Sequence, residues 1–242
     1  MTDAWITVRE GTPHSAAVTT ATGVAIDQQV TVGRTGHIVV GIDVADSGIS
    51  RVVATITATP HGWTVRDTSR NGIVIHPWGL APLRATTDVR LHWPLIGLRI
   101  LGAEPDARHW VLLECDRYVI DGSNTNQVVG TTLQADPPRP LTPAEQQALA
   151  TVFQSILAWP PPLIPAEPSQ LKQAGRRLGI TASAVKVRLE GARAKAKLLG
   201  LDRPVGVTEP AYLHVLAAAG YVPLPSQRCA ILASNPPMHN QS

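Results

Sequence analysis

Apolar and polar residues alternate along Val52-Val53-Ala54-Thr55-Ile56-Thr57-Ala58-Thr59, with Ala54, Ile56 and Ala58 in one set and Val53, Thr55 and Thr57 in the other. A period of two in a run rich in β-branched residues predicts a strand with two unlike faces. Gln29 to Val32, Trp63 to Arg66, Ile73 to Ile75, Asp88 to Leu91, Leu98 to Leu101 and Trp110 to Glu114 read the same way. Between them stand the turn formers Pro60-His61-Gly62, Asn71-Gly72, Pro77-Trp78-Gly79 and Gly102 to Arg108. Many short strands at this spacing predict a sandwich or barrel. Trp5, Trp63, Trp78, Trp93 and Trp110 are large enough to anchor its core, a use that outweighs a ligand cage.

The period changes in the second half. From Ile120 to Pro140 the chain mixes Gly, Ser, Asn, Thr and Pro without apolar rhythm, which predicts a solvated linker over 118–140. Thr142-Pro143-Ala144-Glu145 then offers a cap, a proline at the first helical position and a reciprocal glutamate. Leu149, Val152, Phe153, Ile156 and Leu157 follow at helical spacing, predicting an amphipathic helix to about Ala158, where Pro160 to Pro168 cannot continue it. Ser169 is expected to cap a helix through Leu178, Gly179 to end it, and Thr181 to cap another that reaches Leu199. Leu171, Leu178, Val185, Leu189, Ala192 and Ala196 make its inward face, and Gly175 lets the two helices approach. A last helix is expected from Thr208 to Gly220, and Pro223, Pro225, Pro236 and Pro237 predict an irregular tail over 223–242.

Charge divides along the same line. Residues 1–140 hold eleven arginines and no lysine against thirteen acids, a balance of −2, whereas residues 141–242 hold ten basic residues against five acids, a balance of +5. The two halves are therefore expected to face different partners. Cys115 and Cys229 stand far apart without metal-ligand spacing, so neither a disulfide framework nor a metal site is expected, and a reducing cytoplasm is the expected compartment. No apolar run approaches the ~18–20 residues of a membrane span, and no export signal opens the chain.

Three clusters in the strand half carry chemistry: Gly33-Arg34, Ser50-Arg51 and Asp67-Thr68-Ser69-Arg70-Asn71-Gly72. Guanidinium forks supply paired charge-assisted donors and a serine a compact one, which is the chemistry that holds a phosphate dianion. In order and spacing these clusters resemble the recognition loops of the forkhead-associated (FHA) family, over roughly residues 1–117. The resemblance implies an all-β, two-sheet sandwich with binding loops at one end. It implies that Arg34 and Ser50 hold a phosphothreonine phosphate, with Arg51 and Arg70 as further contacts, and that Asn71 hydrogen-bonds the peptide backbone. The chain departs from the family pattern in three places. Val53 replaces a loop-bracing histidine, Ile73 replaces a threonine, and His76 stands near a usual asparagine.

In the helical half, Gly175-Arg176-Arg177-Leu178-Gly179-Ile180-Thr181 with Ala184-Val185-Lys186-Val187-Arg188-Leu189 resembles a LuxR/GerE-type helix-turn-helix, over roughly 141–222. Between Gln170 and Gly200 eight basic residues meet one acid, Glu190, an excess that suits a polyanion. The resemblance implies that Lys186, Val187 and Glu190 project toward base edges and that Thr181, Arg188 and Arg193 meet the DNA backbone. Glu190 is a departure. It would accept from cytosine or repel phosphate.

No P-loop, dinucleotide fingerprint, nucleophile elbow or HExxH occurs, and the histidines His14, His37, His61, His76, His92, His109, His214 and His239 show no telling spacing to carboxylates. They read mostly as surface or turn residues, and a binding protein without cofactor is expected rather than an enzyme. Taken together, the two resemblances imply a bacterial regulator that couples recognition of a phosphothreonine protein, made by a Ser/Thr kinase, to double-stranded DNA. The alternative is a phosphopeptide adaptor whose helical half binds protein. The linker threonines Thr125, Thr131 and Thr132 lack an acid three residues on, so a partner in trans is expected.

Overall fold

A computed structural model describes residues 4–13, 18–85, 88–115 and 137–225. The linker threonines, His14, Cys229, His239 and the tail beyond 225 lie outside the described residues. The described residues fall into two compact units, a strand unit and a helical unit.

The strand unit holds eleven strands: β1 (Ala4–Gly11), β2 (Val18–Val24), β3 (Gln29–Gly33), β4 (Ile38–Val39), β5 (Ala54–Thr59), β6 (Gly62–Asp67), β7 (Ile73–Pro77), β8 (Leu83–Arg84), β9 (Asp88–Leu91), β10 (Leu95–Ile100) and β11 (Arg108–Cys115). They form a six-stranded sheet, β2-β1-β11-β10-β7-β8, and a five-stranded sheet, β4-β3-β5-β6-β9. All pairings are antiparallel except β3 with β4. This is the two-sheet sandwich that the resemblance implied, where the strand pattern alone left sandwich and barrel open.

Alternation places the core between the sheets. Ala54, Ile56 and Ala58 of β5 are buried while Thr55, Thr57 and Thr59 are partly exposed, as a period of two requires. Val30, Val32, Val65, Ile73, Ile75, Ile96, Leu98 and Val111 join them from both sheets. Trp63, Trp78 and Trp110 are buried, and Trp93 packs on the core edge. The strand expected to begin at Val52 begins at Ala54 instead. Val53 is drawn into the core and pairs outside the ladder, its N–H donating to Val32 O at 2.7 Å.

The helical unit holds α1 (Pro143–Val152), α2 (Leu171–Leu178), α3 (Ala182–Leu198) and α4 (Ala211–Ala218). Thr142 and Glu145 form the expected capping box, and Thr181 caps α3 by accepting from Ala184 N. Gly179 ends α2 in the left-handed conformation, φ 67°, where a side chain would be strained. Val185, Leu189, Ala192 and Ala196 form the buried face of α3, which packs on α1, α2 and α4, where Leu149, Ala174 and Leu213 are buried as well.

Three helix limits differ from expectation. The first helix stops at Val152, because the N–H groups of both Ile156 and Leu157 turn back to Phe153 O. A tight turn keeps nearly the spacing of a helix, so the apolar rhythm runs past the true end. Ser169 does not cap α2: Gln170 holds that position without a side-chain bond, and Ser169 N donates to Val152 O. The last helix begins at Ala211 rather than Thr208, since Glu209 precedes a proline and is disfavoured in the helical region.

Candidate functional site

Four loops meet in the strand unit: the β3–β4 turn with Arg34, the β4–β5 loop with Gly48 to Arg51, the β6–β7 loop with Arg70 and Asn71, and the β10–β11 loop from Leu101 to Ala107. Hydrogen bonds between the loops and the burial of Ile49 in the core hold the arrangement.

The β3–β4 turn is zipped to the β4–β5 loop by Arg34 N to Ser50 O (3.3 Å) and Thr35 N to Arg51 O (3.0 Å). A Cβ on Gly33 would lie 2.4 Å from Arg51 O, and its φ is +151°, so only glycine admits this approach. Arg34 then donates from Nε to Ile49 O at 2.6 Å, which fixes its guanidinium plane. Neither Nη1 nor Nη2 meets a protein acceptor among the described residues, so both amino groups keep their donors.

The β6–β7 loop is braced from within and from across. Asp67 Oδ1 accepts from Ser69 N (2.8 Å) and Ser69 Oγ (2.6 Å), and Ser69 Oγ accepts from Gly72 N at 2.8 Å. Ser50 Oγ accepts the backbone N–H of Arg70 at 3.3 Å, and Asn71 donates from Nδ2 to Gly48 O at 3.1 Å. Arg34, Ser50 and Asn71, drawn from three separate sequence clusters, are thereby tied into one hydrogen-bonded group of loops. Arg51 and Arg70 are exposed beside them.

Arg84 of β8 was not singled out from the sequence, yet its Nη2 donates to Asn71 O at 3.0 Å. Only the pairing of β8 with β7, through Val74 with Arg84 and Ile75 with Leu83, brings it there. A two-residue strand leaves no periodic signal that would have found it.

The reading of the histidines as mostly surface or turn residues is corrected at His109 and His76. His109 is buried in β11 with Nδ1 2.5 Å from Glu10 Oε1 and Nε2 3.4 Å from Asp46 Oδ2. Glu10 faces it directly across the β1–β11 register, a pairing that sequence spacing cannot reveal. His76 lies partly buried in β7, edge-on to Trp110 with ring centroids 4.8 Å apart. Burial, together with nearby Arg99, pushes its ring down to about 4. No group of histidine, cysteine or carboxylate side chains suited to a metal occurs among the described residues.

In the helical unit, Lys186 and Val187 are exposed on α3, Val187 by 65 %. Lys186 Nζ lies 3.8 Å from Glu190 Oε1, so the acid that departs from the family pattern is partly answered by its own helix. Arg188 is half-buried, and Thr181 is exposed with its hydroxyl occupied in capping. Arg193 donates from Nη1 to Val205 O at 2.7 Å, and Lys195 pairs with Glu145. Arg177 donates to Gln154 Oε1 at 2.8 Å. Several of the eight cations thus hold the unit together as well as charging it. No helix among the described residues is long and apolar enough to cross a membrane.

Neither a family model nor a curated protein matches the chain. Among solved structures it is similar to the FHA domain of the CT664 protein from Chlamydia trachomatis, at 16 % identity and a TM-score of 0.33, covering 46 % of this chain and 96 % of that one. It is also similar to the N-terminal FHA domain from S. cerevisiae Rad53p in complex with a phosphothreonine peptide, at 14 % identity and TM-score 0.34, covering 46 % and 94 %. Mycobacterium tuberculosis EmbR in complex with a low-affinity phosphopeptide is similar at 18 % identity and TM-score 0.31, covering 45 % of this chain and 24 % of that one. At these identities and scores the likeness carries no functional weight. The loops do.

Proposed function

We propose that the strand unit is an FHA-type reader of phosphothreonine peptides and that the helical unit is a LuxR/GerE-type helix-turn-helix that binds double-stranded DNA. The chain then acts as a bacterial, cytoplasmic regulator coupling a Ser/Thr-kinase signal to transcription, without catalysis of its own. One observation carries the first part: Arg34, Ser50 and Asn71 are cross-linked by Arg34 Nε to Ile49 O, Arg70 N to Ser50 Oγ and Asn71 Nδ2 to Gly48 O. Each bond fixes a side chain or loop while leaving donor capacity over. Ser50 accepts through a lone pair and keeps its proton to donate; Arg34 keeps two amino groups; Asn71 keeps an amide oxygen and a second N–H. A phosphate dianion with a peptide backbone beside it satisfies that set. Arg51, Arg70 and Arg84 add positive charge without an ion-paired carboxylate of their own among the described residues.

The second part rests on the basic excess and on the exposed Lys186 and Val187 of a capped helix. One observation favours the adaptor reading instead. Arg177, Arg193 and Lys195 are engaged inside the unit, and the outer side of α3 presents Val187 and Leu198, about three turns apart and 65 % and 75 % exposed. Fluorescence anisotropy of the full chain separates the two. Duplex binding that weakens steeply with salt supports the regulator, and no duplex binding at low salt leaves the adaptor. An array of degenerate phosphothreonine, phosphoserine and unphosphorylated peptides tests the first part. Retention on the phosphothreonine set alone is expected, and equal retention on all three contradicts it.

A further inference from the structure

We propose that the buried trio Glu10, His109 and Asp46 positions the recognition loops, acting on Arg34 and Asn71 through the turn at Asp46 to Ile49. These are three of only five buried polar or charged residues among those described, with 1 %, 1 % and 2 % of their surface exposed. Burying ionisable groups is costly unless each finds partners, and here the partners are the loops themselves. Glu10 Oε1 accepts from Gly41 N at 2.6 Å, fastening the start of the β4–β5 loop to β1. His109 stands between Glu10 and Asp46, hydrogen-bonded to Glu10 through Nδ1, while its Nε2 lies 3.4 Å from Asp46 Oδ2 without a hydrogen bond. Asp46 N donates to Gly41 O at 3.3 Å to complete the link to Glu10.

Asp46 is the junction. Its Oδ1 accepts from Gly48 N (2.8 Å) and Ala103 N (2.9 Å), and its Oδ2 from Glu104 N (3.2 Å), so one carboxylate joins the β4–β5 and β10–β11 loops. Its own carbonyl accepts from Ile49 N at 3.2 Å, closing the turn. The two carbonyls that this turn orients are the ones used at the site: Gly48 O takes Asn71 Nδ2, and Ile49 O takes Arg34 Nε. A continuous path therefore runs from a cross-strand pair in the six-stranded sheet to two separate recognition side chains. Gly102 fits the same plan, since a Cβ there would lie 1.8 Å from Asp46 Oδ2. Glu10, His109 and Asp46 touch no bound peptide in this scheme; they are positioning residues.

The affinity arm of the test rests on the phosphopeptide reading, whereas the spectroscopic arm does not. The full chain, labelled with nitrogen-15, is compared with Asp46→Ala, Asp46→Asn and His109→Gln by following the Asn71 side-chain amide, the Trp63 indole as a core reference, and the affinity for a phosphothreonine peptide. Asp46→Ala is expected to move the Asn71 amide signals while the Trp63 signal stays, and to lower affinity by about tenfold or more. Asp46→Asn keeps one oxygen for Gly48 and Ala103 and is expected to recover most of that loss, which general destabilisation would not produce. If Asp46→Ala does not fold, His109→Gln carries the test with the same direction and a smaller effect. An unmoved Asn71 amide in a folded variant overturns the inference, as does a moved amide with unchanged affinity. If the unsubstituted chain binds no phosphopeptide, the functional reading fails, and the Asn71 signals still decide whether the trio orders the loop.

Discussion

The backbone N–H of Arg70 donates to Ser50 Oγ at 3.3 Å, so a hydroxyl on one loop sets the height of an arginine on another. Because Ser50 uses a lone pair in this bond, its own proton remains to be donated. On the proposed function Ser50 then has two duties, holding the β6–β7 loop and meeting the phosphate.

Replacing it separates them. Ser50→Ala is expected to reduce phosphopeptide affinity by about ten- to hundredfold, since a hydrogen bond to a charged group contributes roughly 1.5–3 kcal/mol. Ser50→Thr keeps the hydroxyl and is expected to recover part of the affinity. Isothermal calorimetry on both variants reads the outcome, and full affinity in Ser50→Ala would remove the serine from the site.

The sandwich was legible in sequence at most of its longer strands, but β1, Ala4–Gly11, was missed although Ala4, Ile6 and Val8 alternate there with Trp5, Thr7 and Arg9. Ala54 to Thr59 alternates cleanly, and the strands at Gln29, Trp63, Ile73, Asp88 and Trp110 fell within a few residues of their expected places. β2 escaped because Thr19 to Gly23 offers small residues of similar polarity, and β4 and β8 because two residues have no period. Arg34, Ser50 and Asn71 were visible because their clusters are local. Arg84 and the trio of Glu10, His109 and Asp46 were not, since strand pairing brings Arg84, Glu10 and His109 to their partners and loop contacts bring Asp46 to its own. Helix ends failed where a turn or a following proline imitated or interrupted helical spacing, as at Phe153 and Glu209.

His76 gives the strand unit a pH signature. Its ring is held down to about 4 by burial and by Arg99, whereas in the unfolded chain it titrates near the ordinary 6.5. Between these values the unfolded chain binds the extra proton, so stability falls as pH drops from about 6.5 to about 4 and this contribution is flat above. Unfolding free energies from urea titration at pH 7 and pH 4.5 are expected to differ more for the unsubstituted protein than for His76→Gln, by on the order of 1–3 kcal/mol. Equal differences would show that the ring is not held neutral by the fold.

In the helical unit, Arg193 and Lys186 are expected to behave differently. Arg193→Ala removes the bond to Val205 O and should lower the melting temperature of the unit by an amount equivalent to about 1–2 kcal/mol. Lys186 is exposed and only loosely paired with Glu190, so Lys186→Ala should leave melting unchanged. If α3 enters the major groove, the same substitution costs about 1–3 kcal/mol on a specific duplex and relaxes preference at one base step. Differential scanning calorimetry with anisotropy on specific and scrambled duplexes reads both. Loss of melting stability in Lys186→Ala, or none in Arg193→Ala, would contradict these roles.

The most direct test of the phosphopeptide reading is calorimetric titration of the full chain and of Arg34→Ala with a phosphothreonine peptide selected from a degenerate library and with its unphosphorylated twin. Binding of the phosphorylated peptide alone is expected, with a loss of about ten- to hundredfold in Arg34→Ala, because the guanidinium fixed by Ile49 O supplies the charge-assisted donors. Equal binding of the two peptides, or undiminished binding by Arg34→Ala, would contradict it.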